Sequence, residues 1–227
     1  MLEVGGFVPM STTDWPDHLA AVVFVQGCPW RCHYCHNRDL QPRESGSQAH
    51  PWPDLLAKLG KRQGLLDGVV FSGGEPTLDS YLFQAMRDVK ALGLQVGLHT
   101  AGIYPDRIQA LLPMVDWVGF DVKANFANYE KVTDVPRSGQ PAWRSLVSVI
   151  QYGLPYEVRT TYHPDLHDDE QMLQLGATLR QLGVQDWVIQ GFRPTTHTPG
   201  HLGASHRTLS AGLQQQLADS GLRLQLR

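Results

Sequence analysis

Cysteine is scarce in this sequence, long apolar runs are absent, and neither sign of charge dominates. Of 227 residues only three are cysteine: Cys28, Cys32 and Cys35. A disulfide framework uses an even number of cysteines spread along the chain, so none is expected. The longest uninterrupted apolar run, Leu19 to Val25, is seven residues long, far short of a membrane span. The opening MLEVGGFVPM has no basic segment followed by a long apolar one, so no signal peptide is expected, and the reading is cytoplasmic. Nineteen basic against 22 acidic residues leave a formal charge of −3. That balance gives no electrostatic ground for a nucleic-acid partner. No repeat period and no low-complexity tract are visible. With 42% hydrophobic and 18% charged residues, the composition is that of an ordinary folded chain.

What is present is a rhythm. Short apolar runs fall at 20–25, 68–72, 95–100, 117–122, 156–162 and 187–191. Their density suits strands buried on both faces, as in a parallel sheet. Helical patterns lie between them: 80–92 with Asp79 as N-cap, 105–112 opening on a proline, 142–152, and 168–182. Gly153 and Gly183 stand where the last two would stop. Six β-then-α units predict an α/β fold, a partial (β/α)6 TIM-like barrel, in one domain spanning 1–227. The polar stretch Gln41–His50 reads as a loop. A C-terminal extension from about 195 to 227 is expected to add a helix and a short strand.

The three cysteines lie in one loop, 27–37, with the sequence GCPWRCHYCHN. The loop follows a strand, which places it at the C-terminal rim of a barrel, where active sites are built. Thiolates suit iron–sulfur clusters or zinc. Three of them would hold three corners of a cubane and leave one iron open. His33 or His36 would instead complete a zinc site of three cysteines and a histidine. The spacing alone leaves both readings open.

A second motif, Gly73-Gly74-Glu75, follows the next strand. Glycines let the backbone approach a ligand, and a carboxylate accepts hydrogen bonds from an ammonium. Alone it also reads as a plain turn. Both motifs lie after consecutive strands, so they are expected to face each other.

Taken together, Cys28-x3-Cys32-x2-Cys35, with Tyr34 before the third cysteine, and Gly73-Gly74-Glu75 resemble the signature of the radical S-adenosylmethionine (SAM) enzymes. The resemblance implies a single 4Fe-4S cluster held by Cys28, Cys32 and Cys35. It implies that the amino and carboxylate groups of SAM chelate the open iron. An electron from the cluster would then split the sulfonium bond to give methionine and a 5′-deoxyadenosyl radical. The Cys-His-Asn tail, Cys35-His36-Asn37, is similar to that of glycyl-radical-enzyme activases. Phe7-Val8-Pro9 and Ser11 to Pro16 resemble the lead-in of anaerobic ribonucleoside-triphosphate reductase activating proteins. That family implies a glycyl-radical enzyme as partner, the anaerobic reductase, and an electron donor such as flavodoxin or ferredoxin. Tyr34, Gly73, Gly74, Glu75, Asp121, Lys123 and Arg159 match positions that line the cofactor. Asp121 and Lys123 also read as a surface ion pair, and Arg159 as one half of a structural pair.

The departures matter too. His99 stands where pyruvate formate-lyase activases carry an acidic residue for a monovalent cation, so no such cation is expected. With three cysteines there is no ferredoxin-like insert. Two other readings stay open: radical chemistry on a small molecule such as a deazapurine precursor, and a non-catalytic zinc protein. His163, His167, His197, His201 and His206 read as solvated. Trp52, Trp117, Trp143 and Trp187 read as core.

Overall fold

The computed structural model describes residues 1–43, 50–195, 198, 200, 202–203 and 209–227. His197, His201, His206 and most of the 41–50 loop lie outside the described residues. Eight strands form one sheet in the order of the chain. They are β1 (Val4–Ser11), β2 (Ala20–Val25), β3 (Gly68–Gly73), β4 (Gln95–Thr100), β5 (Trp117–Asp121), β6 (Tyr156–Tyr162), β7 (Asp186–Gly191) and β8 (Arg223–Leu226). β1 pairs antiparallel with β2, and every later neighbour pairs parallel.

Helices fill the crossovers, as parallel neighbours require. They are α1 (Trp52–Gly60), α2 (Leu82–Ala91), α3 (Pro105–Leu111), α4 (Tyr129–Thr133), α5 (Gly139–Tyr152), α6 (Asp169–Gln181) and α7 (Ala211–Asp219). β2 through β7, each followed by its helix, are the six units of a partial barrel, and β8 adds a seventh parallel strand. Among the described residues no helix is long and apolar enough to cross a membrane.

β2 shows why these strands read as continuous apolar runs. Ala21, Val23 and Val25 face the helices, while Ala20, Val22 and Phe24 face the barrel interior. The inner set packs with Val70, Trp117 and Trp15. Trp15 comes from the β1–β2 connection and lies in the bore, stacked on Trp117 at 5.6 Å and on His18 at 4.5 Å. Gly68 and Gly97 make room for it: a β-carbon on either would meet its indole at 2.9 Å.

Helix ends follow local chemistry. Asp168 caps α6 in a capping box with Gln171. Gly153 takes the left-handed conformation, φ 81°, that ends α5. Asp79 does not cap α2. Its carboxylate instead accepts from the Tyr81 and Glu3 amides, so it fastens the turn before the helix. Three elements go beyond the sequence reading, the short α4 together with β1 and α1. β1 contains Gly5, Gly6 and Pro9, poor strand formers that an irregular edge strand accommodates. α1 buries Trp52, Leu55 and Leu59 after Pro51.

Candidate functional site

The C-terminal ends of β3 to β7, together with the loop after β2, border one cavity of about 210 Å³. Cys28, Cys32, Tyr34 and Cys35 border it from the loop after β2. Gly73 and Gly74 come from β3, Asp121 and Lys123 from β5, and Arg159 from β6. Cysteines and glycines thus face each other, as their positions after consecutive strands imply. All three cysteines are free thiols. They border the cavity without converging on one point: among the described residues no three His, Cys, Asp or Glu side chains gather tightly enough to hold a single ion. Burial pushes the Cys28 thiol up to about 12, with Glu75 adding to it, and Cys32 up to about 11. Such thiols become ligands when a bound cation displaces their protons.

The glycines are required by close approach. Gly74 donates its amide to Val25 O at 3.0 Å, and Glu75 donates to Gly27 O at 2.8 Å. A β-carbon on Gly74 would sit 2.3 Å from that Gly27 oxygen. Gly73 has φ +124°, and its β-carbon would meet the Val25 backbone at 2.4 Å. The second motif is therefore stitched to the strand and turn that launch the cysteine loop.

Glu75 lies beneath this backbone, fully buried. Its Oε1 accepts from the Thr77 amide, the Thr77 hydroxyl at 2.6 Å and the Thr100 hydroxyl at 2.8 Å. Oε2 accepts only one chain donor among the described residues, the Ala101 amide at 3.0 Å. Burial raises its pKa despite those donors. The carboxylate thus holds the turn and retains acceptor capacity on Oε2.

A charged network forms the opposite wall. Arg159 Nε donates to Asp121 Oδ1 at 3.0 Å, and Lys123 Nζ to Oδ2 at 3.3 Å. Burial opposes ionisation of Asp121, but the two cations outweigh it and hold the carboxyl well below its usual range. Burial likewise works against charge on Lys123, and Asp121 and Tyr34 reverse it. This is no exposed surface pair: the Lys123 side chain is only 14% exposed. Two cations share one carboxylate, so the wall carries positive charge suited to an anionic ligand group.

Tyr34 is 4% exposed, and its hydroxyl has no partner among the described residues. Lys123 Nζ lies 5.8 Å from its ring centre. A buried hydroxyl left unpaired beside a cavity is a place for a ligand atom.

The lysine is fixed from both sides. Its amide donates to the Tyr129 hydroxyl at 3.0 Å, and its carbonyl accepts from His167 Nε2 at 2.8 Å. His167 and His163 are therefore not solvated: they are 1% and 0% exposed. Their polar loop folds under the rim, where burial lowers the His167 pKa. His163 packs edge-on against Phe192 at 4.9 Å, and His36 stacks on the same ring at 5.8 Å. Trp52, Trp117 and Trp187 are buried as expected, and Trp143 is partly buried.

His99 is the residue that the sequence pattern did not mark as a site. Its Nε2 donates to the Asp14 carbonyl at 2.7 Å, and Arg159 Nη1 lies 3.1 Å from the same nitrogen. Burial, then Arg159, push its pKa down to about 3, so the imidazole is neutral. A histidine inside a strand has no spacing that announces such a role.

Three features fit a cluster with SAM. Three thiols border one cavity, a glycine backbone would clash with any added side chain, and a buried phenol has no hydrogen-bond partner among the described residues.

Comparison with known proteins gives the same direction. Residues 22–176 match the family model of the radical SAM superfamily. The chain is 29% identical over 200 residues to a Methanocaldococcus jannaschii protein named as a glycyl-radical enzyme activating enzyme, covering 84% of this chain and 80% of that one. It is 30% identical over 171 residues to the pyruvate formate-lyase-activating enzyme of Clostridium pasteurianum, covering 73% and 70%. The solved structure of Escherichia coli QueE shares the fold at TM-score 0.60 and 15% identity, covering 100% of this chain and 93% of QueE. The chain belongs to the radical SAM superfamily, whose enzymes work with a 4Fe-4S cluster and S-adenosylmethionine.

Proposed function

We propose that this enzyme installs a glycyl radical on a partner protein, the anaerobic ribonucleoside-triphosphate reductase. The observation that carries it is the single cavity on which the cysteine loop, the Gly73–Gly74 backbone and the Asp121–Lys123–Arg159 network converge. Similarity to the named activating enzymes over most of the chain supports the reaction class. Those relatives do not name the reductase. The lead-in Phe7 to Pro16, with His99 before Thr100, favours it over pyruvate formate-lyase.

In this reading Cys28, Cys32 and Cys35 hold the cluster. When bound, the cluster and SAM together supply a hydrogen-abstracting radical, so no protein acid or base is needed. Gly73 and Gly74 present backbone atoms to the methionine amine, and Glu75, buried beneath them, holds that turn in place. Lys123 pairs with the carboxylate. Asp121 fixes Lys123 and Arg159 and accepts from hydroxyl groups. Tyr34 gives its hydroxyl to a ligand atom. Phe192 stacks on His36 and Trp30 packs edge-on against Tyr129, which places aromatic surface about the loop. Cysteine ligation of this kind belongs in the reducing cytoplasm.

The test is anaerobic purification followed by reconstitution with iron and sulfide. A brown protein with about four iron per chain is expected. Reductant-dependent release of 5′-deoxyadenosine and a glycyl-radical EPR signal on co-incubated reductase complete the expected result. Cys32→Ala should remove all three. A colourless protein retaining zinc overturns the chemistry. A radical on pyruvate formate-lyase but none on the reductase overturns the partner.

A further inference from the structure

Each turnover of this proposed function needs an electron from outside the chain. Electron tunnelling weakens steeply with distance, so the donor must dock beside the cysteine loop. Although the whole chain carries −3, the segment 27–43 holds Arg31, Arg38 and Arg43 against one acid, Asp39.

Three exposed arginines gather about Cys28. Arg31 Nη1 donates to the Cys28 carbonyl at 2.6 Å and to Trp30 O at 2.9 Å. Arg107 Nη1 donates to Leu78 O at 2.5 Å and to Thr77 O at 2.9 Å. Arg43 Nη1 reaches the same Leu78 oxygen at 3.5 Å. A β-carbon on Gly27, the residue before Cys28, would lie 2.8 Å from Leu78 Cδ2 and 3.5 Å from Arg43 Cδ. Arg107 also lies over the Tyr104 ring at 4.8 Å. Two nearby acids among the described residues are committed elsewhere. Asp106 takes Arg144 at 2.6 Å, and Asp79 is buried and accepts from two backbone amides. Each guanidinium is anchored through backbone carbonyls, and among the described residues none of the three is in an ion pair. The loops tied down are those that carry Cys28 and Glu75.

We propose that Arg31, Arg43 and Arg107 form the docking surface for an acidic one-electron carrier protein. One electron leaves the reduced cofactor of the carrier and enters the cluster, and no proton or group moves with it. Opposite potentials raise the encounter rate and fix the approach beside Cys28.

The probe is photoreduced flavodoxin, mixed anaerobically with the reconstituted full chain while cluster bleaching is followed. The second-order rate is expected to fall at least about tenfold in Arg43→Glu/Arg107→Glu at low salt. The wild-type rate is expected to fall steeply as salt rises. Arg43→Lys/Arg107→Lys should keep most of it. Photoexcited deazaflavin, uncharged and small, should reduce all forms within about twofold, which shows that fold and cluster are intact. Calorimetry of oxidised flavodoxin with each form should show binding that the reversals abolish. Equal, salt-independent rates in all forms overturn the surface. Normal reduction with lost radical transfer assigns it to the glycyl-radical partner and also overturns it. A chain that takes up no iron overturns the underlying function instead, and that failure is visible before any donor is added.

Discussion

Arg159 reaches Asp121 across adjacent strands, Nε to Oδ1 at 3.0 Å, over a glycine whose missing side chain gives it room. A β-carbon on Gly119 would meet the guanidinium carbon at 2.9 Å and the His99 ring at 2.8 Å. The pair is thus built into the barrel interior, with Lys123 sharing the carboxylate.

Asp121→Asn leaves two cations facing each other without a counter-charge. Asp121 keeps a third of its side chain exposed, which tempers the loss to about 1–3 kcal/mol. Urea denaturation measures that, and calorimetry should show weaker SAM binding. Unchanged values for both would mean that the network is idle.

Gly74→Ala forces a methyl group into the Gly27 carbonyl, 2.3 Å away, where backbone rather than a flexible side chain must yield. A loss of about 2–4 kcal/mol is expected. Iron bound per chain should fall with it, because Gly27 launches the cysteine loop. Full iron uptake in a destabilised variant would separate the turn from the cluster site.

Tyr34→Phe is expected to act in opposite directions on two measurements. It removes a buried hydroxyl that has no partner among the described residues, so the thermal midpoint of the SAM-free protein should hold or rise. Affinity for SAM should fall. A lower midpoint with unchanged affinity would show that the hydroxyl serves the fold alone.

His99 carries a pH signature. Its folded pKa is pushed down to about 3, against about 6.5 in an unfolded chain. Between those values the unfolded chain binds more protons, so stability falls as pH drops from about 6.5 toward 3. His99→Asn removes this contribution. The stability lost between about pH 7 and about pH 5 should therefore be larger in wild type than in the variant. Identical losses would argue against a buried neutral imidazole.

The barrel was legible because its strands are short, apolar and separated by helix-length crossovers; the sequence AAVVFV has no solvent face to hide. The cysteine and glycine motifs were legible because their spacing is local. Contacts made across the fold left no local trace. Nothing around His163 or His167 signals that their loop turns inward beneath Lys123. Arg159 announced the need for a partner but not which one. β1, with two glycines and a proline, looks like a loop until β2 supplies hydrogen bonds.

The indole of Trp15 occupies space that Gly68 and Gly97 vacate. Large and small are therefore one property distributed over three positions on separate segments. Gly97→Ala alone wedges against the ring, and Trp15→Leu alone leaves a void. Made together, the changes should damage the fold less than their separate effects would sum to, because each relieves what the other creates. The bore of this barrel can therefore be altered only by concerted substitutions, which ties the β1–β2 connection to the sheet it appears merely to precede.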